Sequence, residues 1–310
     1  MTRYSSALNT YNAAVGVAEL IPDLIIPELL ASSAREEVFM PHVRRFDLTG
    51  PGEVFSIPQS STLAWAALGS ATYIDGTLPD QTQWNPTSRT LTPQFYYLDV
   101  TVGIDSIQGV QPGLSIQDGL IKEAAIGLAL HRDSLFGALY TEASNTAPDH
   151  EIGTDATELN FSTFREAYAL LLTANAPRPY TWVIHPIQVV ELLKDNTFID
   201  ASIKGSPVLT SGIQPGGFLT QLMDVGIYVS DQIDESSGLH SMMFAKGAAL
   251  AYGYKNLTNP NTGASQEIML DIEWNSGYRM YEFNMTYQAN AGGACGASST
   301  LNDYIVDIIS

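Results

Sequence analysis

The sequence predicts an α+β chain organised around one long helix. Three observations carry that reading. Residues 115–142 hold a consistent apolar stripe at helical spacing. Residues 90–102 and 267–287 have the β-branched and aromatic content of strands. Between these blocks, residues 160–255 alternate short helical and strand patterns, as a mixed α/β unit does.

The 310 residues leave room for two domains, or for one large domain with insertions. Apolar residues make up 45% of the chain, which excludes a disordered or collagen-like protein. Only 15% of residues are charged, against about 25% in an ordinary soluble domain. A chain so poor in charge hides much of its surface, and a large assembly is one way to hide it. The net charge of −19 argues against gripping nucleic acid, which needs Lys and Arg to displace counterions. It argues equally against an anionic membrane surface. The single cysteine, Cys295, makes no internal disulfide, so a reducing compartment is expected. Neither a signal-peptide pattern at the N-terminus nor a membrane-spanning apolar run is visible; the longest candidate, residues 20–34, is interrupted by Asp23, two prolines and Glu28.

Residues 1–19 read as a polar arm. A short helix is expected over 23–38, ended by Pro41, and it would serve equally as a core or an interface helix. Short strands are expected at 43–46 and 53–58, around the turn Gly50-Pro51-Gly52. A longer strand follows at 90–102. Between Gln59 and Arg89 lie about thirty residues with no periodicity, carrying Trp65, Tyr73 and Trp84 among small and polar residues. A structureless loop of that length is uncommon inside a compact domain. It fits a lid over an active site, or an extended arm whose aromatics are buried on another chain. The arm explains why three large aromatics sit in so polar a segment.

The helix at 115–142 opens on Ser115 as N-cap, with Asp118 in the first turn. Its length of roughly 40 Å suits a rod on which other parts are mounted. Residues 146–160 read as a polar linker. A second helix is expected over 163–175, capped by Ser162 with Thr163 and Glu166 as a capping box, and stopped by Pro177 and Pro179. A strand at 180–185 and a helix from Pro186 to Lys194 follow, then a loop over 197–217. Residues 218–223 read as a helical turn, 225–230 as a strand and 231–238 as an acidic loop. Strands at 242–245 and 248–254 come next, then a hairpin of 267–274 and 278–287 about Asn275-Ser276-Gly277. The tail holds small residues over 289–300 and an apolar end over 304–309.

The residues offer little chemistry. No GxSxG elbow, phosphate-binding glycine motif or HExxH pair occurs. His42, His131, His150, His185 and His240 are scattered singly. His185, between a strand and a proline-started helix, stands where a catalytic group could, but a hydrogen-bonded structural role is the expected one. His131, beside Arg132 and Asp133, is expected to face solvent or a neighbour. Asp231, Asp234 and Glu235 lack the ligand order of a calcium loop. Cys295 has no basic neighbour to activate it. The reading is a non-enzymatic protein with no catalytic, cofactor or metal site.

The order of parts resembles the major capsid proteins of tailed bacteriophages, with the Hong Kong 97-like fold. The similarity is carried by LIIPELLASSAREEVFM at 24–40, VRRFDLTGPGEVFSIPQSSTLAWAALG at 43–69 and RTLTPQFYYLDVTVGIDSIQ at 89–108. FREAYALLLTANAPRPYTWVIHPIQVVELLK at 164–194 and HSMMFAKGAALAYGYKN at 240–256 continue it. The resemblance implies an N-terminal arm and helix (1–45), a long β-hairpin extension loop (46–98), a peripheral domain (99–159) with a spine helix at 115–142, and an α/β apical domain (160–255). Peripheral strands and a C-terminal tail (256–310) complete it. It implies hexamers and pentamers of an icosahedral shell that encloses double-stranded DNA without reading its sequence. Portal and scaffolding or cement proteins are the implied partners, the virion the location, and the host cytoplasm the place of assembly. Arg44, Arg45, Trp65, Tyr73 and Trp84 are the expected subunit-interface residues.

Some members of that family lock the shell through a lysine of the extension loop. Here Lys122, Lys194, Lys204, Lys246 and Lys255 all lie outside 46–98, so that link is not expected. Two other readings remain beside the phage shell: an encapsulin-like compartment, and a soluble enzyme with a lid loop.

Overall fold

The computed structural model describes residues 37–48, 55–59, 87–103, 116–142, 150–154, 158–195, 217–233, 238–258, 265–293 and 304–310. In chain order these form β1 (Arg44–Asp47), β2 (Phe55–Gln59), β3 (Thr87–Leu91), β4 (Gln94–Gly103) and α1 (Ile116–Gly137). Next come β5 (Glu151–Gly153), α2 (Phe161–Thr173), β6 (Tyr180–Ile184), α3 (Pro186–Lys194), β7 (Phe218–Leu222) and β8 (Val225–Val229). The chain closes with β9 (His240–Ala245), β10 (Leu250–Lys255), β11 (Leu257–Thr258), β12 (Ser265–Gln266), β13 (Ile268–Asn275), β14 (Met280–Gly293) and β15 (Ile305–Ile309). The helix expected over 23–38 falls almost wholly outside the described residues; at its end, Met40–His42 form a 3-10 turn around Pro41.

Two large sheets organise these elements. The first has β14 at its centre. β4 lies along one edge, from Met280↔Gly103 to Ala289↔Gln94. Along the other edge β13 and then β10 follow end to end, and β1 pairs parallel with β10. The second sheet has the order β5-β15-β9-β6-β8-β7. Its middle strands are fully covered: every residue of β6 and of β9 is buried. Strands covered on both faces lose the in–out alternation, and these have lost it.

β2 and β3 pair antiparallel from Phe55↔Leu91 to Gln59↔Thr87. They form the base of the expected excursion, while residues 60–86 lie outside the described residues. Asn290 donates from Nδ2 to the Thr92 carbonyl at 2.8 Å, so the excursion leaves directly from the edge of the first sheet.

Several sequence expectations give way here. The rod read over 115–142 is α-helical only to Gly137, and Ala138–Glu142 tighten into a 3-10 turn. A β-carbon at Gly137 would collide with the carbonyl of Gln232, so a glycine stands where that loop crosses. The second helix starts at Phe161, because Asn160 is its cap and not Ser162. Asn160 Oδ1 accepts from the Ser162 and Thr163 amides, and Thr163 Oγ1 accepts from the Asn160 amide. Residues 218–222 are a strand and not a helical turn. A tight turn through Met223, at φ 57°, folds β7 back antiparallel onto β8. The linker read over 146–160 contains β5, which pairs parallel with β15.

The last strand also departs from the reading. Ile305, Val306 and Ile308 are buried in the second sheet, between β5 and β9, apart from the strands of 265–293. β10, at the end of 160–255, belongs to the first sheet. The divisions drawn at 160–255 and 256–310 therefore cut across the strand pairing.

One large apolar core joins the sheets through α1, and a small second cluster holds Leu91 and Ala251. Phe39 stacks on Phe136 of α1 at 5.7 Å and on Phe244 of β9 at 6.2 Å. Beside it lies a charged node. Arg132, 1% exposed, donates from Nη1 to Glu37 at 2.7 Å and from Nη2 to Glu267 at 2.5 Å. Its guanidinium also lies 5.7 Å from the ring of Tyr252 and 5.9 Å from that of Tyr287. Burial opposes its charge; Tyr252, Glu267 and Glu37 outweigh that and hold it above its ordinary value. Next in sequence, Asp133 accepts the Val38 and Phe39 amides at 2.9 and 3.1 Å. Burial pushes its carboxyl up to about 7, against the pull of those two amides.

Removing the arginine leaves two carboxylates without their buried partner. Arg132→Met is expected to lower stability by about 3–5 kcal/mol in urea titrations, the cost of breaking a buried pair. Exposed Arg44→Met is expected to change it by less than about 0.5 kcal/mol.

His42 gives a pH signature. It is 4% exposed and packs at a tilt against Tyr228, ring centres 4.3 Å apart. Burial, aided by Lys246, lowers its imidazole to about 4. A lowered histidine keeps its stabilising contribution above its unfolded value of about 6.5 and loses it as pH falls toward 4. The loss approaches about 3 kcal/mol at the acid end. In His42→Phe this part of the acid limb should flatten, as read by denaturant midpoints from pH 7 to 4.

Candidate assembly interface

Of the five expected interface residues, Arg44 and Arg45 are described and exposed on β1, where they pair in register with Ala251 and Tyr252. The Arg44 guanidinium lies 4.8 Å from the centre of the Phe46 ring. Trp65, Tyr73 and Trp84 lie outside the described residues.

The histidines fill structural roles. His185 caps α3: its Nδ1 accepts from the Ile187 amide at 3.3 Å, and its own amide donates to Gln188 Oε1 at 2.9 Å. His240 pairs with Asp307 at 2.9 Å and stacks on Tyr140, which ties β9 to β15. Burial raises the Asp307 carboxyl and the histidine draws it back. His131 does not face open solvent. It packs edge-on against Tyr96 at 4.6 Å, and burial lowers its imidazole. Among the described residues no group of three or more His, Cys, Asp or Glu is placed to hold a metal ion. Nor is any helix among them long and apolar enough to cross a membrane.

What the surface offers is unpartnered apolar area. On β4, Phe95 is 66% and Tyr97 82% exposed. Three consecutive aromatics in a strand cannot share one face, because side chains alternate. Tyr96 turns toward α1, so its two neighbours turn out. The alternation follows from the sequence, but which side turns out is set by the face that α1 covers. β4 is also an edge: among the described residues it pairs only with β14. Soluble proteins normally blunt such edges with charge, bulges or a covering element. A second patch lies on α3, where Ile187, Val190 and Leu193 recur three residues apart and face outward while Gln188 and Leu192 are buried.

The far end of the first sheet is acidic. Register puts Asp99 and Asp271 on either side of Asn284, and Glu273 directly opposite Glu282. Like charges paired across strands cost stability. An amide offsets part of this, since Asn275 Nδ2 donates to Glu282 Oε1 at 2.8 Å.

No protein-family model matches the sequence, and no curated protein matches it. The fold does match solved structures. The capsid of Ralstonia phage GP4 aligns at a TM-score of 0.65 and 10% identity, covering 88% of this chain and 90% of that one. The capsid of cyanophage P-SCSP1u aligns at 0.60 and 11% identity, covering 89% and 88%. The SrpI encapsulin complex from Synechococcus elongatus PCC 7942 aligns at 0.56 and 12% identity, covering 86% and 84%. The neighbours are mostly phage capsid proteins, so the resemblance read from the sequence holds at the level of fold.

The exposed aromatics of β4 generate a prediction. Phe95→Ser with Tyr97→Ser should change the stability of the chain by less than about 1 kcal/mol, since neither ring is in its core. Light scattering should show the same variant failing to associate under conditions where the unaltered chain does.

Proposed function

We propose that this chain is the major capsid protein of a tailed phage. It assembles as hexamers and pentamers into an icosahedral shell around double-stranded DNA, in the host cytoplasm, and resides in the virion. The carrying observation is the near full-length alignment, on both sides, with capsid subunits that share only about a tenth of its sequence. The low charge fraction and the uncovered aromatics of β4 support it, because a shell subunit buries such surface only on its neighbours.

In this reading β2 and β3 begin the extension loop of 46–98, α1 is the spine helix, the first sheet forms the peripheral domain, and the second forms the apical domain together with β15. Arg44, Arg45, Trp65, Tyr73 and Trp84 contact neighbouring subunits. Portal and scaffolding or cement proteins are partners. The function is structural, with no catalytic step or cofactor. The acidic sheet end fits a wall that DNA slides past, since like charges repel within a screening length of about 8 Å.

The encapsulin alignment supports a second reading, a compartment shell that encloses protein. Electron microscopy of particles from the phage-infected or expressing host, with their nucleic-acid content, separates the two. Icosahedral particles carrying DNA are expected. DNA-free particles filled with protein favour the compartment, and a persistent monomer removes both. Boiling mature particles in detergent should return one band near 33.6 kDa, because the loop offers no lysine for a cross-link. A ladder of covalent multimers would contradict this.

A further inference from the structure

Three features of α1 have no account in the chain as described. Ile126 is 48% and Leu130 40% exposed, two large aliphatic side chains one turn apart on the outer face of the helix. Gly127 is exposed in mid-helix, where glycine costs about 1 kcal/mol relative to alanine. A β-carbon built there meets nothing within 4 Å, so no contact of the described residues calls for a glycine. Thirdly, an apolar groove of about 350 Å³ runs between α1 and β4, walled by Tyr96, Leu98, Ala124, Gly127 and Leu128 and floored by Met285.

The three are contiguous. At 3.6 residues per turn, a path around the outside of α1 leads from Asp133 past Ile126, Leu130 and Gly127 to the groove wall at Ala124 and His131. Asp133 is where the N-terminal part of the chain arrives, its carboxylate holding the Val38 and Phe39 amides while Glu37 is fixed to Arg132. The sequence before Glu37 is strongly aliphatic: Leu20, Ile21, Leu24, Ile25, Ile26, Leu29 and Leu30 fall within eleven residues. The seven steps from Leu30 to Glu37 reach up to about 23 Å, and a helix is only about 10 Å across. The segment at 60–86 has no comparable anchor beside α1 among the described residues.

We propose that residues 20–36 of the same chain cross the outer face of α1 over Ile126 and Leu130, pass close at Gly127, and seat aliphatic side chains in the groove against β4. The glycine is then the point of close approach that a side chain would block. This contact is internal to one subunit and does not depend on the shell reading.

The test is hydrogen exchange by mass spectrometry on the full chain before assembly. Amides of 20–36 should be protected at every protein concentration. Gly127→Trp, which fills the crossing, should speed their exchange at least tenfold while β14 and β9 keep theirs. Leu98→Asp, at a half-exposed groove position, should do the same without touching the helix, and it decides the matter if Gly127→Trp disturbs α1 itself. Free exchange of 20–36 in the unaltered chain would overturn the proposal, as would protection that survives both substitutions. Protection that appears only on association would assign the groove to a second copy, and would overturn it too.

Discussion

The guanidinium of Arg132 is the point on which the architecture turns. It sits on α1, binds Glu37 of the incoming chain and Glu267 at the start of the first sheet's outer strands, and lies against the rings of Tyr252 and Tyr287 from β10 and β14. Buried ion pairs add little net stability over well-packed apolar groups, but they penalise every arrangement that leaves one member alone. Here that penalty acts on three segments far apart in sequence. Asp133 extends the clamp by one residue, and Phe136 extends it to the second sheet through Phe39.

With the helix held in this way, the interior is committed and the remaining apolar residues have no place in it. Phe95 and Tyr97 point away from α1 because Tyr96 points toward it. The outer residues of α3 are uncovered because Gln188 and Leu192 are the ones turned inward. Gln188 is wholly buried, donating to the Leu239 carbonyl and Ser310 Oγ, which fixes the helix rotation. A chain built this way exposes aromatic and aliphatic surface on a sheet edge and a helix face. Exposed apolar surface of this kind commonly marks an interaction site.

Much of this was legible in the sequence, for local reasons. The apolar stripe of α1, the β13–β14 hairpin and the apolar runs of β6 and β9 each declare themselves within ten or twenty residues. The order of parts was enough to suggest the fold. Pairings across long separations were not legible. β15 is five residues long and joins β5, more than 150 positions earlier, so its apolar run read only as a tail. The buried role of Arg132 was not read at all, because its partners stand 95 and 135 residues away. Asn160 and Ser162 are both competent caps, and only the reciprocal bond with Thr163 decides between them. Arg44 and Arg45 are exposed on β1, and the outward turn of Phe95 and Tyr97 depends on which face α1 covers.

The central claim is that α1, the segment at 37–39 and the two sheets open as one unit because the Arg132 node couples them. Native-state hydrogen exchange across a denaturant series measures this directly. The account predicts one common opening free energy for amides of Val38, Phe39, α1, β14 and β9. If Val38 and Phe39 open at a much lower free energy than β14 and β9, the node does not couple them and the account is contradicted.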